Sequence, residues 1–257
     1  MTILKRSASM VSALVMMISS AGGYNCSAEG TTVNDSNTNN TREIVIDGTT
    51  AQLKENMRYR GAGMVSANNS SRLLLDYKAE HPDVYEQIMK YMFGKEGIGI
   101  THLKLEMGAD INSSSGTEPS VMRTEDEKAD VTRGAAYQLA ADAKKINPDL
   151  TLDMLWWSEP KWVSDASDVY AARYKWYKNT LDAAYETYGL EFDYVSAVQN
   201  ERGADLEWVK YLSSHLKSEK DTPYDYSKIK IVGGEEVCTW GFADRMYEDS
   251  ELMNVVD

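Results

Sequence analysis

The stretch "DYVSAVQNERGADLEWVKYLSSHLKSEKDTPYDYSKIKIVGGEE", Asp193 to Glu236, reads as strand, helix, strand. Apolar Tyr194, Val195, Ala197 and Val198 lead into Asn200, Glu201 and Arg202. "DLEWVKYLSSHLKSE" (Asp205 to Glu219) then has helical spacing, and "KIKIVGGEE" (Lys228 to Glu236) returns to a short apolar run. Two strands joined through a helix run parallel, so the unit is βαβ.

The alternation extends in both directions. "YRGAGMVSA" (Tyr59 to Ala67) is a Gly-broken strand, and "RLLLDY" leads into "HPDVYEQIMKYMF" (His81 to Phe93), with Val84, Ile88 and Met92 at helical spacing. "GIGITHLKLEMGAD" (Gly97 to Asp110) contains a strand. "EDEKADVTRGAAYQLAADAKKIN" (Glu125 to Asn147) is expected to be largely helix, stopped by Asn147 and Pro148. "LTLDMLWWS" (Leu150 to Ser158) is a strand, and "DVYAARYKWYKNTLDAAYETYG" (Asp168 to Gly189) a long helix closed by Gly189. "FADRMYEDSELMN" (Phe242 to Asn254) is helical, and Val255 to Asp257 are expected to open a sixth strand. No strand runs into a Gly-rich phosphate loop, which disfavours a nucleotide-binding doubly wound sheet. Polar residues recur where strands end: Glu106 and Asp110, Trp157 and Ser158, Asn200 and Glu201, Glu235 and Glu236. A (β/α)8 TIM-type barrel builds its active site from such ends. About six of its eight strands are expected, so the reading is a truncated barrel over residues 44–257. A smaller complete α/β domain is the alternative, and an end inside an apolar strand argues against it.

Residues 1–28 read as a secretory signal, with Lys5 and Arg6 before the apolar "MVSALVMMISSAGG" and small residues at Cys26 to Ala28. The expected location is secreted or cell-surface. Lipoprotein anchoring at Cys26 is the weaker variant, because Gly23, Tyr24 and Asn25 make a poor lipobox. The apolar run is short for a span, so no transmembrane helix is expected after cleavage. Residues 29–43 are a polar, Asn- and Thr-rich linker. The formal net charge of −13 opposes phosphate backbones and excludes nucleic acid as a natural partner. Two cysteines, Cys26 and Cys238, and three scattered histidines, His81, His102 and His215, give no metal-ligand spacing, and no cofactor is called for.

Sixteen Tyr and six Trp against three Phe favour surfaces that meet polar ligands with apolar faces, sugars among them, although six Trp also fit a plain core. A glycosidase needs one carboxyl to protonate the leaving oxygen and a second across the sugar. Glu201 at a strand end is a candidate for the first, with Asn200 to position it or bind a hydroxyl; a polar turn would use the same residues. In "LWWSEPKW" (Leu155 to Trp162), Trp157 is a candidate stacking surface, with Trp156 and Trp162 expected in the core. In "GTEPSVM" (Gly116 to Met122), Thr117 and Glu118 offer a hydroxyl and a carboxylate, in what is otherwise a loop ahead of a helix-starting Pro.

Taken together, "GTEPSVM", "WWSEPKWV" and "VQNER" resemble glycoside hydrolase family 59, the galactocerebrosidase (galactosylceramidase) family. "SSRLLLDY", "KKINPDLTL" and "ELMNVVD" are similar in order and spacing, so the resemblance covers residues 44–257. It implies a retaining β-galactosidase on a (β/α)8 barrel, acting on galactosylceramide-like glycolipids or related β-galactosides. It further implies that Glu201 is the acid/base, and that Asn200, Thr117 and Trp157 contact substrate. The family nucleophile lies on the seventh strand, which this chain does not reach, and Glu235 and Glu236 do not match its motif. The family's "PWSFPGW" reads "WWSEPKW" here, so Glu159 and Lys161 alter the loop and the fit of the aglycone. Two other readings stand beside this one: a secreted β-glycosidase of the same clan acting on another sugar, and a non-catalytic carbohydrate-binding fragment.

Overall fold

Five short strands form one parallel sheet: β1 (Gly63–Ser66), β2 (His102–Glu106), β3 (Thr151–Leu155), β4 (Tyr194–Ser196) and β5 (Lys230–Val232). This computed structural model of the chain describes residues 60–113, 115–197, 203–235 and 240–256. Strand order follows the sequence, β1-β2-β3-β4-β5, with no reversal. A doubly wound sheet reverses its order and binds ligands at the switch point; this sheet has none.

Helices fill the crossovers. α1 (Arg72–Glu80) and α2 (Pro82–Phe93) join β1 to β2, with Pro82 opening the second, where a missing N–H is harmless. α3 (Ala136–Ile146) joins β2 to β3. α4 (Lys161–Ser164) and the long α5 (Val169–Tyr188) join β3 to β4. Asp168 caps α5 by accepting from the Ala171 N–H at 3.0 Å, and Gly189 closes it with φ 67°. α6 (Leu206–Ser218), capped by Asp205, joins β4 to β5, and α7 (Gly241–Glu248) and α8 (Ser250–Val255) follow.

Register and alternation give the sheet two unlike faces. Leu103, Leu105, Leu152, Met154, Val195 and Ile231 are buried on the face that meets the helices, against Trp176, Tyr177, Leu181, Trp208 and Leu212. The other face mixes Val65, Leu155 and Val232 with polar and charged side chains. Lys104 pairs in register with Asp153, Asp153 with Tyr194, and Tyr194 with Lys230, a charged row across four strands.

Three expectations are corrected. The helix expected from Glu125 begins only at Ala136. Ahead of it, Asp130 accepts from the Thr132 N–H at 2.9 Å and Glu127 pairs with Arg133, so side chains bind local groups in place of a helical ladder. The expected sixth strand is absent among the described residues: Asp249 accepts from the N–H groups of Glu251 and Leu252 at 3.0 and 3.1 Å and starts α8, which runs through Val255. Pro119 starts no helix; its loop continues to α3. The leader, the linker and the start expected at Ile44 lie outside the described residues.

Candidate active site

The carboxyl ends of the strands carry the chemistry-bearing side chains. β3 is followed directly by two tryptophans, Trp156 and Trp157, which differ in burial. Trp156, 8% exposed, turns toward the helices and donates its Nε1–H to the Tyr177 hydroxyl at 2.6 Å. Trp157 is half-buried, and with the edge of Trp156 it lines a cavity of about 390 Å³ together with Glu159, Arg173, Ala197 and Gly203. Asn200 and Glu201 lie outside the described residues. Ala197 and Gly203, which bracket their segment, both line the cavity beside Trp157.

Glu159, which departs from the family's loop, has a defined partner. Arg173 Nε and Nη2 reach its two carboxylate oxygens at 2.7 and 3.2 Å, a two-pronged ion pair. The same guanidinium lies 5.5 Å from the Trp156 ring and 4.9 Å from the Trp208 ring. Lys161 pairs instead with exposed Asp165. Of the two tryptophans expected in the core, Trp156 is buried, while Trp162 is half-buried and donates to the Met122 carbonyl at 3.0 Å.

Thr117 lies outside the cavity, on the loop after β2, where its hydroxyl donates to the Asn112 side-chain carbonyl. Gly116 before it has φ 143°, and a Cβ there would collide with the Asn68 carbonyl, so the loop passes tightly over the turn after β1. Glu118 does not offer its carboxylate to solvent. It is buried, its Oε2 accepting from the Asn69 N–H at 2.5 Å, and Glu106 at the end of β2 accepts from the Asn68 N–H at 2.6 Å. Burial pushes Glu106 up to about 7 against the opposing Asn68 bond. Burial likewise pushes Glu118 up to about 7, with the Asn69 bond opposing and the Glu106 charge adding.

Below these ends, Lys104 joins Asp153 at 3.5 Å and also Glu235, and His102 Nε2 stands 3.6 Å from Asp153. Sequence reasoning does not single out Asn68, Asn69, Lys104, Asp153 or Arg173. The signal for Lys104 and Asp153 is a charge in the middle of each apolar strand, "HLKLE" and "TLDML". His81, His102 and His215 stay apart, His215 stacking on Tyr211 at 3.8 Å. Among the described residues no group of three His, Cys, Asp or Glu is placed to hold a metal ion, and no helix is long and apolar enough to cross a membrane.

Residues 59–257 match the profile of glycosyl hydrolase family 59. Galactocerebrosidases of Macaca mulatta and Homo sapiens are each 32% identical over 206 residues, covering 77% of this chain and 28% of theirs. That of Salmo salar is 33% identical over 204 residues, covering 76% and 28%. The chain thus spans little more than a quarter of these relatives' length. Among solved structures, an endo-β-1,6-glucanase is similar at TM-score 0.55 and 16% identity, over 76% of this chain and 49% of that one. SrfJ from Salmonella typhimurium is similar at 0.58 and 15%, over 76% and 48%. The parallel βα order is therefore shared with these chains, and on the sequence match the chain is a member of glycosyl hydrolase family 59.

Proposed function

We propose that the five strands are consecutive strands of a (β/α)8 barrel, and that the chain contributes to a retaining β-galactosidase of the galactocerebrosidase type. Its substrates are galactosylceramide-like glycolipids or related β-galactosides. The galactose ring rests on Trp157, with Asn200 binding its hydroxyls from beside the cavity and Thr117 reaching a hydroxyl from the loop after β2, in exchange for its bond to Asn112. Glu201 donates a proton to the glycosidic oxygen as the bond breaks, and then takes one from the water that releases the sugar. A retaining mechanism requires a second carboxyl about 5–5.5 Å from the first as nucleophile; none is assigned here. With Met1 to Ala28 acting as a leader, the enzyme works outside the cytoplasm.

The observation that carries this reading is the cavity. Trp157 opens into it, and both residues bracketing the Asn200–Glu201 segment line it. The test uses the full-length protein and β-galactosides of graded leaving ability. Glu201→Gln is expected to lower turnover of poor leaving-group substrates on the order of 10²- to 10⁴-fold, the usual range for a positioned acid, and to spare activated ones more. Unchanged turnover of a poor leaving-group substrate defeats the assignment.

A second reading has its own support. The Glu159–Arg173 pair makes one wall of the cavity charged, which suits a polar leaving group, such as a second sugar, better than a lipid. Relative kcat/KM on oligosaccharide and glycolipid substrates separates the two.

A further inference from the structure

Glu106 and Glu118 take no part in the proposed proton transfer, yet both are buried, at 6% and 2% exposure. One ends β2 and the other follows Thr117. The turn after β1 joins them: Asn68 and Asn69, at φ 53° and 57°, give their successive N–H groups to Glu106 and Glu118. Asn is among the few residues that accept this left-handed backbone.

Two N–H groups are thin compensation for two buried charges. The cations of the surrounding elements are paired with other acids. Lys104 on β2 binds Asp153 and Glu235, Arg123 binds Asp110, and Arg133 binds Glu127 and Asp130. From α3 the titratable group facing the pair is the Tyr137 hydroxyl, raised by burial and then by Glu118 and Glu106. Glu118 Oε1 is buried without a hydrogen-bond partner among the described residues. It lies against Gly134, where a Cβ would collide with it. A bare carboxylate oxygen there is an uncompensated charge; a protonated one is not.

We propose that Glu106 and Glu118 hold one proton between them, on Glu118 Oε1, and that the pair so neutralised positions the Thr117 loop over the end of β2 for the sugar. The proposal rests on Thr117 contacting substrate. Both Oε2 atoms remain acceptors for Asn68 and Asn69, and of the two Oε1 atoms that of Glu118 is the one buried without a hydrogen-bond partner among the described residues. When the proton leaves to solvent, two like charges face each other at the base of the loop, and the loop lifts. Asn68 is tied to that loop independently, its Oδ1 accepting from the Ser113 hydroxyl at 2.7 Å.

The sign follows from the raised carboxyls. The folded state holds a proton that the unfolded chain releases at ordinary carboxylate pH. The stabilisation is thus full below that range and lost as pH rises through about 7. In the full-length protein, the thermal midpoint and KM for an aryl β-galactoside are measured from about pH 5 to about pH 9, a window spanning both values. The wild type is expected to lose midpoint and gain KM, roughly tenfold for each pKa unit of coupling, across that window. In Glu118→Gln, a neutral mimic of the protonated form, both slopes are expected to become clearly shallower, the remainder belonging to Glu106, which its own burial raises. Glu106→Gln serves if that variant does not fold, since it removes one of the two buried acids and the like charge, and should make both slopes shallower while burial keeps Glu118 raised. Slopes identical to wild type overturn the shared proton. A midpoint slope that becomes shallower while the KM slope stays as in the wild type overturns the positioning role. If galactosides are not substrates, the midpoint slope still tests the shared proton, and its persistence in the variants overturns it separately.

Discussion

The Tyr177 hydroxyl donates to the Ser196 carbonyl at 2.5 Å, from the middle of α5 to the last residue of β4. It also accepts from Trp156 Nε1, so one buried oxygen ties the ends of β3 and β4. Tyr177→Phe leaves a buried N–H and a buried C=O without partners. The expected loss is about 1–3 kcal/mol in chemical denaturation. Because Ser196 leads into the Asn200–Glu201 segment, kcat on β-galactosides should fall as well. Tyr177→Phe with wild-type stability and kcat contradicts the tie.

Adjacent tryptophans should respond oppositely. Trp156→Ala empties a buried site beside Trp176 and Tyr177 and is expected to cost about 3–5 kcal/mol. Trp157, which lines the same cavity, is only half-buried, so for Trp157→Ala stability should move by less than about 1 kcal/mol. Its KM for a galactoside should rise roughly tenfold, equivalent to about 1.4 kcal/mol of lost stacking. Urea titrations and initial rates on both variants decide this.

Arg173 holds Glu159 and lies between two indoles. Arg173→Ala leaves a part-buried carboxylate alone and is expected to destabilise by about 3 kcal/mol. Lysine should not restore it, because an ammonium neither bonds in two prongs nor stacks flat. A lysine variant as stable as wild type would show that charge alone suffices.

Asp142 on α3 accepts from Lys78 at 2.6 Å, Lys145 at 2.9 Å and Tyr85 at 2.9 Å. Burial raises its pKa, but the bonds from Lys78, Lys145 and Tyr85 outweigh burial and hold it below the usual carboxylate range. Its stabilisation is therefore present above that range and lost as pH falls through the lowered folded value. Asp142→Asn should lower stability at neutral pH and flatten the acid limb of a midpoint-versus-pH curve. An acid limb unchanged in the variant assigns acid unfolding to other groups.

Gly189 closes α5 at φ 67°, and nothing lies within 4 Å of where a Cβ would stand, so Gly189→Ala isolates backbone strain from packing. The expected cost is about 1 kcal/mol. A neutral result would mean that the α5 terminus relaxes.

Much of the fold is legible locally. The α5 pattern, its Asp168 cap and its Gly189 stop all act within a few residues, and each strand shows its apolar run. The start of α3 is not legible, because "EDEKADVTRG" has helix-forming residues whose side chains instead bind Thr132 and Arg133. The tail from Val255 reads as a strand from its short apolar run, but Asp249 starts a helix that includes Val255. In the candidate site, Trp157 is legible from its place at a strand end. Glu118 reads as an exposed carboxylate, because nothing in "GTEPS" records that the turn after β1 folds over it.

The sequence by itself determined the βα alternation, the parallel direction of the strands and, through its motifs, membership of a glycosidase family. These depend on periodicity, caps and short strings read in order along the chain. Only the tertiary structure decided which charges are buried and with whom: Lys104 with Asp153, Arg173 with Glu159, and Glu106 with Glu118 through Asn68 and Asn69. Such pairings join residues distant in sequence. Their protonation depends on desolvation and neighbouring charge, which exist only once the strands are side by side.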